Sequence, residues 1–156
     1  IISYNFGARK FERVKQTYRI TLTITFITAV ICCLLTTQLP LVFAGLFTTD
    51  PELLELLARV MPIFMGGIWM FGIQMGCQTT FMGLGQAKIS LFIALLRKVI
   101  LLIPLAILLP IFTGGDVMSI YFSEPISDIT SAAIAGILFL ATKKKILSEE
   151  ALAKIK

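Results

Sequence analysis

The sequence contains no histidine, which excludes a histidine-ligated metal site, a histidine general base and a histidine pH switch within these 156 residues. Proton chemistry, where it occurs, must therefore use carboxylates. Only three cysteines are present, Cys32, Cys33 and Cys77, and all lie in strongly apolar stretches. Adjacent Cys32 and Cys33 are poorly placed to pair with each other, so we expect the cysteines to pack as small hydrophobic side chains.

Charged residues make up only 15% of the chain, and three stretches have none: residues 20–49, 60–87 and 99–115. A fourth apolar stretch, residues 117–142, is interrupted by Glu124 and Asp128. Each stretch approaches or exceeds the roughly 20 apolar residues that cross a bilayer as a helix. With a mean hydropathy of +0.92, this pattern is typical of an integral membrane protein, whereas a soluble domain would carry polar residues over its whole surface.

The sequence therefore predicts an all-α, polytopic membrane helix bundle with four transmembrane helices, at residues 18–39, 60–84, 89–112 and 117–142. We expect a cytoplasmic loop at residues 1–17 and a cytoplasmic tail at residues 143–156. The segment Thr49-Asp50-Pro51-Glu52 predicts a helix start that leads into the second span. The sequence begins without Met and nothing in it resembles a signal peptide, so we expect it to be part of a longer chain.

The net charge of +5 would suggest nucleic acid as a partner of a soluble protein, but the positions of the basic residues favour another explanation. Thirteen of the fourteen lie in the amino-terminal segment, around the link between the second and third spans, or in the tail. These segments share one side of a four-span arrangement, and Lys and Arg accumulate in cytoplasmic loops. We predict a multi-pass protein of the cell (plasma) membrane that contacts membrane lipid, with both termini of this chain cytoplasmic and no nucleic-acid partner.

The second predicted span combines glycines with large, flexible side chains. Gly72 and Gly76 form a small-xxx-small pair, which favours close packing against another helix. Gln74 and Gln78 lie one turn apart, and amides in hydrocarbon need partners or water, so interhelical hydrogen bonds and cavity lining are both open explanations. The same span supplies adaptable apolar surface from three residues: Met70, Phe71 and Met75.

Arg97 and Lys98 fall inside the third predicted span, because residues 99–115 alone are barely long enough to cross a bilayer. Long basic side chains can extend toward the headgroups, so we expect these two residues to form a cytoplasmic basic anchor. The alternative is that Arg97 faces an inward cavity. Pro104 and Pro110 should kink or end this helix.

The fourth predicted span contains the most unusual residues. Glu124 and Asp128 are four residues apart, which places them about 6 Å apart along the helix axis and on one face. Ionisable groups inside a membrane span generally face water or a partner. Pro125 lies between them and weakens the local helix, which could expose carbonyls to a cation. Alternatively, the span begins later and Glu124 is an outer cap.

Several short segments resemble the multidrug and toxic compound extrusion (MATE) transporters, in the same order and spacing. They are Tyr4-Asn5-Phe6-Gly7-Ala8 before Arg13-Val14, Phe47-Thr48-Thr49-Asp50-Pro51-Glu52, Met82-Gly83-Leu84-Gly85-Gln86-Ala87-Lys88, Arg97 with Ile103-Pro104-Leu105, and Glu124-Pro125-Ile126-Ser127-Asp128. The similarity covers essentially the whole chain up to Lys145. Within the family, the chain is most similar to the bacterial MepA-like subgroup.

The resemblance implies a twelve-helix protein with two six-helix lobes, of which this chain would be a carboxyl-terminal fragment with the last four helices. It implies transport and not enzyme catalysis: a multidrug efflux antiporter that exports cationic amphipathic compounds in exchange for H⁺ or Na⁺ by alternating access. Such xenobiotic transport is a route to antibiotic resistance. The partners of this chain would be cationic hydrophobic drugs and the remaining helices of the same transporter. The resemblance implies no cofactor or metal other than the coupling ion.

The resemblance also suggests roles for individual residues. Some family members carry an Asp in the span that corresponds to the second one, where this sequence has no acid. Ion or proton coupling is therefore expected at Asp128 and Glu124, or on other helices. The expected substrate cavity is lined by Gln74, Gln78, Met70, Met75 and Phe71.

Two alternative functions stay open. A lipid-linked oligosaccharide flippase of the same superfamily would need a basic cavity for pyrophosphate, whereas the deepest charges in these spans are acidic. A non-transporting membrane assembly subunit would use its acids and amides for helix association, and it predicts no substrate-dependent flux. A membrane-embedded hydrolase is disfavoured, because no nucleophile or metal motif accompanies the two carboxylates.

Overall fold

The structure is a computed structural model that describes residues 1–146, with side chains described as far as Thr142. The predicted cytoplasmic tail therefore lies largely outside the described residues. Between residues 1 and 146 the chain is helical, without a β-strand, and the α-helices are α1 (Ile2–Gly7), α2 (Phe11–Gln38), α3 (Pro40–Ala44), α4 (Pro51–Phe64), α5 (Ile68–Gly83), α6 (Ala87–Leu95), α7 (Ile103–Phe112) and α8 (Met118–Ile146).

Two short segments with other helical geometry join these helices. A 3₁₀ turn, Met65–Gly67, connects α4 to α5, and a π-helical segment, Leu96–Leu102, connects α6 to α7. Each of these two segments has a proline close to it: Pro62 lies just before the 3₁₀ turn, and Pro104 lies just after the π-helical segment. Proline lacks the N–H that an α-helix requires four residues after each carbonyl, so a local departure from α geometry is expected there.

Within the described part of the chain, four helical segments are long and apolar enough to cross a membrane: Phe11–Gln38, Pro51–Gly83, Ala87–Phe112 and Met118–Thr142. We call them the first to fourth spans. The predicted all-α bundle with four membrane helices is thus confirmed. The second span begins at Pro51, where the Asp50 carboxylate accepts a hydrogen bond from the Glu52 N–H at 3.0 Å. The helix start predicted around Asp50 is confirmed as well.

Glycine-containing turns connect the second span to the third and the third to the fourth. Gly85 has a φ of +73°, and Gly114 and Gly115 have φ values of +74° and +92°. Glycine adopts this left-handed region without the steric cost of a side chain. These short turns make consecutive spans antiparallel neighbours.

The first and second spans pack closely through the predicted glycine pair. A Cβ atom added at Gly72 would lie 2.6 Å from the Thr25 carbonyl oxygen and from the Ala29 Cβ atom, and one added at Gly76 would lie 2.8 Å from Leu22. The two helices could not approach so closely with larger residues there. The expected role of Gly72 and Gly76 in helix packing is confirmed.

A small hydrophobic core closes one end of the bundle. It joins the start of the first span, the end of the second, the start of the third and the end of the fourth, and consists of Val14, Cys77, Phe81, Leu84, Ile93, Ala135 and Phe139. The Tyr18 ring stacks on Phe139 with a centroid distance of 4.2 Å. This hydrophobic core packs the four spans against one another at that end. The buried polar residues of the fourth span precede Ala135 and Phe139 along the helix and so lie nearer the middle of the bundle.

Large apolar side chains cover much of the outer surface. On the first span they recur every three or four residues and are more than half exposed: Ile20, Ile24, Ile27 and Ile31. Such a stripe would be costly in water but matches a helix that faces lipid or further apolar helices.

Candidate functional site

The two acids of the fourth span lie on the face that packs against the rest of the bundle. Their side chains are largely buried, with exposed fractions of 11% for Glu124 and 4% for Asp128. The helix that carries them begins at Met118, whose N–H donates to the Asp116 carboxylate at 2.9 Å. Glu124 therefore lies in the second turn of the helix and is not its N-cap.

Both acids form ion pairs with consecutive basic residues of the third span. The Arg97 Nε atom lies 2.5 Å from Asp128 Oδ1, and Arg97 Nη2 lies 3.0 Å from Glu124 Oε1. The Lys98 Nζ atom lies 2.8 Å from the same Glu124 oxygen. Two carboxylates and two cations make a cluster with no formal net charge, which is how buried charges are tolerated at low dielectric. We call these four residues the charged cluster.

Arg97 is held at further points besides its two carboxylates. Its guanidinium carbon lies 4.0 Å from the centroid of the Phe71 ring, a cation–π contact with the second span. Its backbone carbonyl accepts a hydrogen bond from the Ser127 hydroxyl at 2.7 Å. The side chain is only 15% exposed. The Arg97 side chain thus faces into the bundle, against the second and fourth spans.

The π-helical segment sets the position of Arg97 and Lys98. Both residues lie in Leu96–Leu102, and this segment packs against the fourth span. A π-helical turn is wider than an α-helical turn and accommodates an extra residue, and such turns are frequent at functional sites. Lys98 is directed differently from Arg97, since its side chain is 53% exposed while its ammonium still reaches Glu124.

A buried polar contact continues the charged cluster toward the packed end. The Ser131 hydroxyl donates to Gln74 Oε1 at 2.7 Å and lies 3.2 Å from the Asp128 carbonyl oxygen. Gln74 and Ser131 are almost completely buried, at 1% and 0% exposure. Of the two explanations offered for Gln74, the interhelical hydrogen bond is the one that these contacts favour.

Ser127 and Ser131 were not among the predicted site residues. A signal was present, because both lie on the helical face of Glu124 and Asp128, at the spacing of three and four residues that one face repeats. Serine hydroxyls in membrane helices commonly bond the preceding turn of their own helix, so spacing alone does not identify a partner on another helix.

The other residues predicted to line a cavity are distributed around the second span. Phe71 is half-buried against Arg97, and Met70 and Gln78 are also half-buried. Met75 is exposed on the outer surface of the described bundle. The structure therefore brings Phe71 and Gln74 to the charged cluster and its extension, and it leaves Met75 on another face.

Within residues 1–146, no group of three or more cysteine and acidic side chains is arranged to hold a metal ion. An exposed ion pair, between Glu55 and Arg59, lies near the start of the second span, where both side chains are about 70% exposed. Such an exposed pair contributes little, which distinguishes it from the buried charged cluster.

Comparisons with known proteins found a family match and a structural match for this chain. The family model described as MatE matches residues 1–108, a range that includes Arg97 and Lys98 and ends before the two acids. None of the curated proteins matches the chain. A solved structure described only as "protein A" matches with a TM-score of 0.81 at 24% identity, which shows a common fold. The match covers 92% of this chain and 32% of that one, so the chain spans about a third of that protein's length.

Proposed function

The chain belongs to the MatE family, and from this premise we propose that it is part of a multidrug efflux antiporter that exports cationic amphipathic compounds in exchange for H⁺ or Na⁺. Members of this family are membrane transporters and not enzymes, and four apolar helices agree with a multi-pass membrane protein. The MepA-like subgroup, the position as the last four of twelve helices, and a plasma-membrane location with cytoplasmic termini are parts of the same proposal.

The observation that carries the proposal is the buried charged cluster between the third and fourth spans. Burying the charges of Arg97, Glu124 and Asp128 is expensive, and well-packed apolar residues would often stabilise a protein as well or better. In membrane helices, ionisable residues inside the bundle generally lie on ion or substrate pathways. Glu124 and Asp128 are therefore our candidates for the coupling of ion or proton movement to drug movement.

The balance of charge in the cluster suggests how coupling would work. Two acids and two bases compensate one another, so a proton or cation that binds a carboxylate leaves one basic side chain without its partner. The released Arg97 or Lys98 would then weaken the contact between the third and fourth spans. A ligand that binds one arrangement of the helices better than the other shifts the balance between them, which is the physical basis of alternating access.

The substrate class follows from the side chains around the cluster. Carboxylates attract cations, while Phe71 supplies polarizable apolar surface beside Arg97, and we propose that Met70 of the same helix adds flexible apolar surface. Such a combination suits a large organic cation better than a small hydrated ion.

One observation favours the flippase alternative. The expectation that the deep charges would be acidic was incomplete, because Arg97 and Lys98 lie beside the acids and the Lys98 side chain is 53% exposed. An exposed ammonium could attract a pyrophosphate-linked lipid. The net charge of the cluster does not favour an anion, so we retain drug export as the leading proposal.

A reconstitution experiment tests the proposal. The full-length protein in proteoliposomes should move ethidium against its gradient when a proton or sodium gradient is imposed. The matched control is the double variant Glu55→Gln and Arg59→Gln, which removes the exposed ion pair and should transport like the wild type. Movement of a lipid-linked oligosaccharide without ethidium transport would favour the flippase, and the absence of any flux would favour an assembly subunit.

A further inference from the structure

The two acids of the charged cluster differ in how firmly their basic partners are held. Asp128 is 4% exposed and pairs with Arg97, which is itself 15% exposed. Glu124 is 11% exposed, and its Oε1 atom is shared between Arg97 and Lys98. The Lys98 side chain is 53% exposed, so one of the two partners of Glu124 lies at the boundary of the bundle.

Releasing Asp128 from Arg97 would disturb several contacts at once. The Arg97 guanidinium also lies over Phe71, and the Arg97 carbonyl accepts the Ser127 hydroxyl. An Arg97 that has lost Asp128 would keep only Glu124, whose Oε1 atom it shares with Lys98, so a largely buried charge would be less well compensated. These contacts join the second, third and fourth spans. We therefore expect the ion pair between Arg97 and Asp128 to stay formed while the helices move.

Releasing Glu124 from Lys98 would cost much less. Lysine carries a compact ammonium on a flexible stem, and a half-exposed lysine can turn away from its partner without disturbing the packing of the bundle. Glu124 would meanwhile retain Arg97 on the same oxygen. The Lys98 ammonium lies 2.8 Å from Glu124 Oε1, so this carboxylate already accepts an ammonium group on the side of the exposed lysine.

We infer that Glu124 is the acid that exchanges its partner during transport, that the Lys98 ammonium competes with the incoming organic cation for it, and that Asp128 serves to hold Arg97 and so joins the third and fourth spans. The inference rests on the proposed function and specifies which of the two candidate acids binds the cation. Lys98 then sets the affinity for cations, because every cation that binds Glu124 must displace it.

Binding of ethidium to the purified full-length protein, followed by fluorescence polarization, tests the competition. Lys98→Gln should tighten ethidium binding by about threefold to fivefold, the range expected when a partly exposed ion pair is removed. Glu124→Gln should weaken binding at least tenfold. Lys88→Gln is the matched control, because Lys88 is an exposed lysine on α6, and it should bind like the wild type. Unchanged or weaker binding by Lys98→Gln would overturn the inference.

Paired neutralisation distinguishes the two acids. Asp128→Asn alone should lower the melting temperature, and adding Arg97→Gln should recover most of that loss together with ethidium binding. Adding Lys98→Gln to Glu124→Gln should recover no binding, since the carboxylate is needed for the cation. A double variant of Arg97 and Asp128 that is no more stable than Asp128→Asn, or that is stable but binds no ethidium, would overturn the assignment of Asp128.

The same measurements separate this inference from the proposed function. If the wild type binds and transports ethidium while Glu124→Gln binds it equally well, the inference is wrong and the proposed function stands. If the wild type binds no ethidium under any gradient, the proposed function is wrong, and the exchange at Glu124 is wrong with it.

Discussion

The Ser131 hydroxyl of the fourth span donates a hydrogen bond to Gln74 Oε1 of the second span at 2.7 Å, and both side chains are almost completely buried. The two residues are 57 positions apart in the sequence. Their contact lies between the hydrophobic core and the charged cluster, so it connects the part of the bundle that is packed by apolar side chains to the part that is held by charges.

Removing one partner of this hydrogen bond should destabilise the protein. Ser131→Ala leaves the buried Gln74 oxygen without its donor, and we expect a loss of about 1 kcal/mol, the usual size for such bonds in membrane proteins. Adding Gln74→Leu should cost less than the sum of the two single changes, because no polar group is then left alone. Thermal unfolding of the full-length protein in detergent measures this coupling, and strictly additive losses would contradict it.

Asp128→Asn should abolish ethidium efflux in cells that express the full-length protein at normal levels. The substitution leaves the Arg97 guanidinium without its closest carboxylate, and breaking a buried pair in this way typically costs about 3–5 kcal/mol. Efflux is followed by fluorescence, and membrane abundance is checked by immunoblotting. Normal efflux by Asp128→Asn would remove this residue from the mechanism.

Arg97→Lys should impair transport although it preserves the charge. A lysine cannot bond Asp128 and Glu124 simultaneously through a planar fork, nor stack on Phe71 as a guanidinium does. We expect lower thermal stability and at least a tenfold lower rate of ethidium transport in proteoliposomes. A rate equal to that of the wild type would mean that charge alone is sufficient at this position.

Gly72→Ala should disrupt the contact between the first and second spans, whereas Gly136→Ala should not. A Cβ atom at Gly72 would meet the Thr25 carbonyl oxygen at 2.6 Å, while one at Gly136 meets nothing within 4 Å. We expect Gly72→Ala to cost about 1–3 kcal/mol, as overpacking usually does. Gly136→Ala, the control within another membrane helix, should be neutral or slightly stabilising. Equal melting temperatures for the two variants would contradict the close packing described here.

The predicted orientation can be tested by cysteine labelling. In a background without the three native cysteines, Val117→Cys should react with a membrane-impermeant maleimide added to intact cells, because Val117 lies in the exposed turn before the fourth span. Lys10→Cys should react only after the membrane is permeabilised, since the basic amino-terminal segment is predicted to be cytoplasmic. The reverse pattern would invert the proposed topology.

The helical class and the four spans could be predicted from the sequence because they depend on local properties. The length of an uncharged stretch, the helix start at Asp50 and the spacing of Gly72 and Gly76 can each be recognised from a few neighbouring residues. The common face of Glu124 and Asp128 follows from helical geometry in the same way.

The partners of the two acids could not be predicted, because they depend on how the third span is rotated against the fourth. From the sequence, the Arg97 side chain could extend toward the headgroups or face inward. Which of the two occurs depends on how the helices pack together and not on the third span alone. The same limit applies to Ser131, whose hydroxyl bonds the second span as well as approaching the turn that precedes it. Gln74 needed a partner, but its sequence position did not identify which helix would supply one.

The π-helical segment Leu96–Leu102 determines how far α6 and α7, the two halves of the third span, are rotated relative to each other about the helix axis. Each residue of an α-helix advances the chain by about 100° around the axis. Deleting one residue from this segment, or converting it to regular α geometry, would therefore twist α6 relative to α7 by about that angle. Arg97 and Lys98 could then no longer both meet the fourth span, so the electrical neutrality of the bundle interior depends on a single residue of helical register.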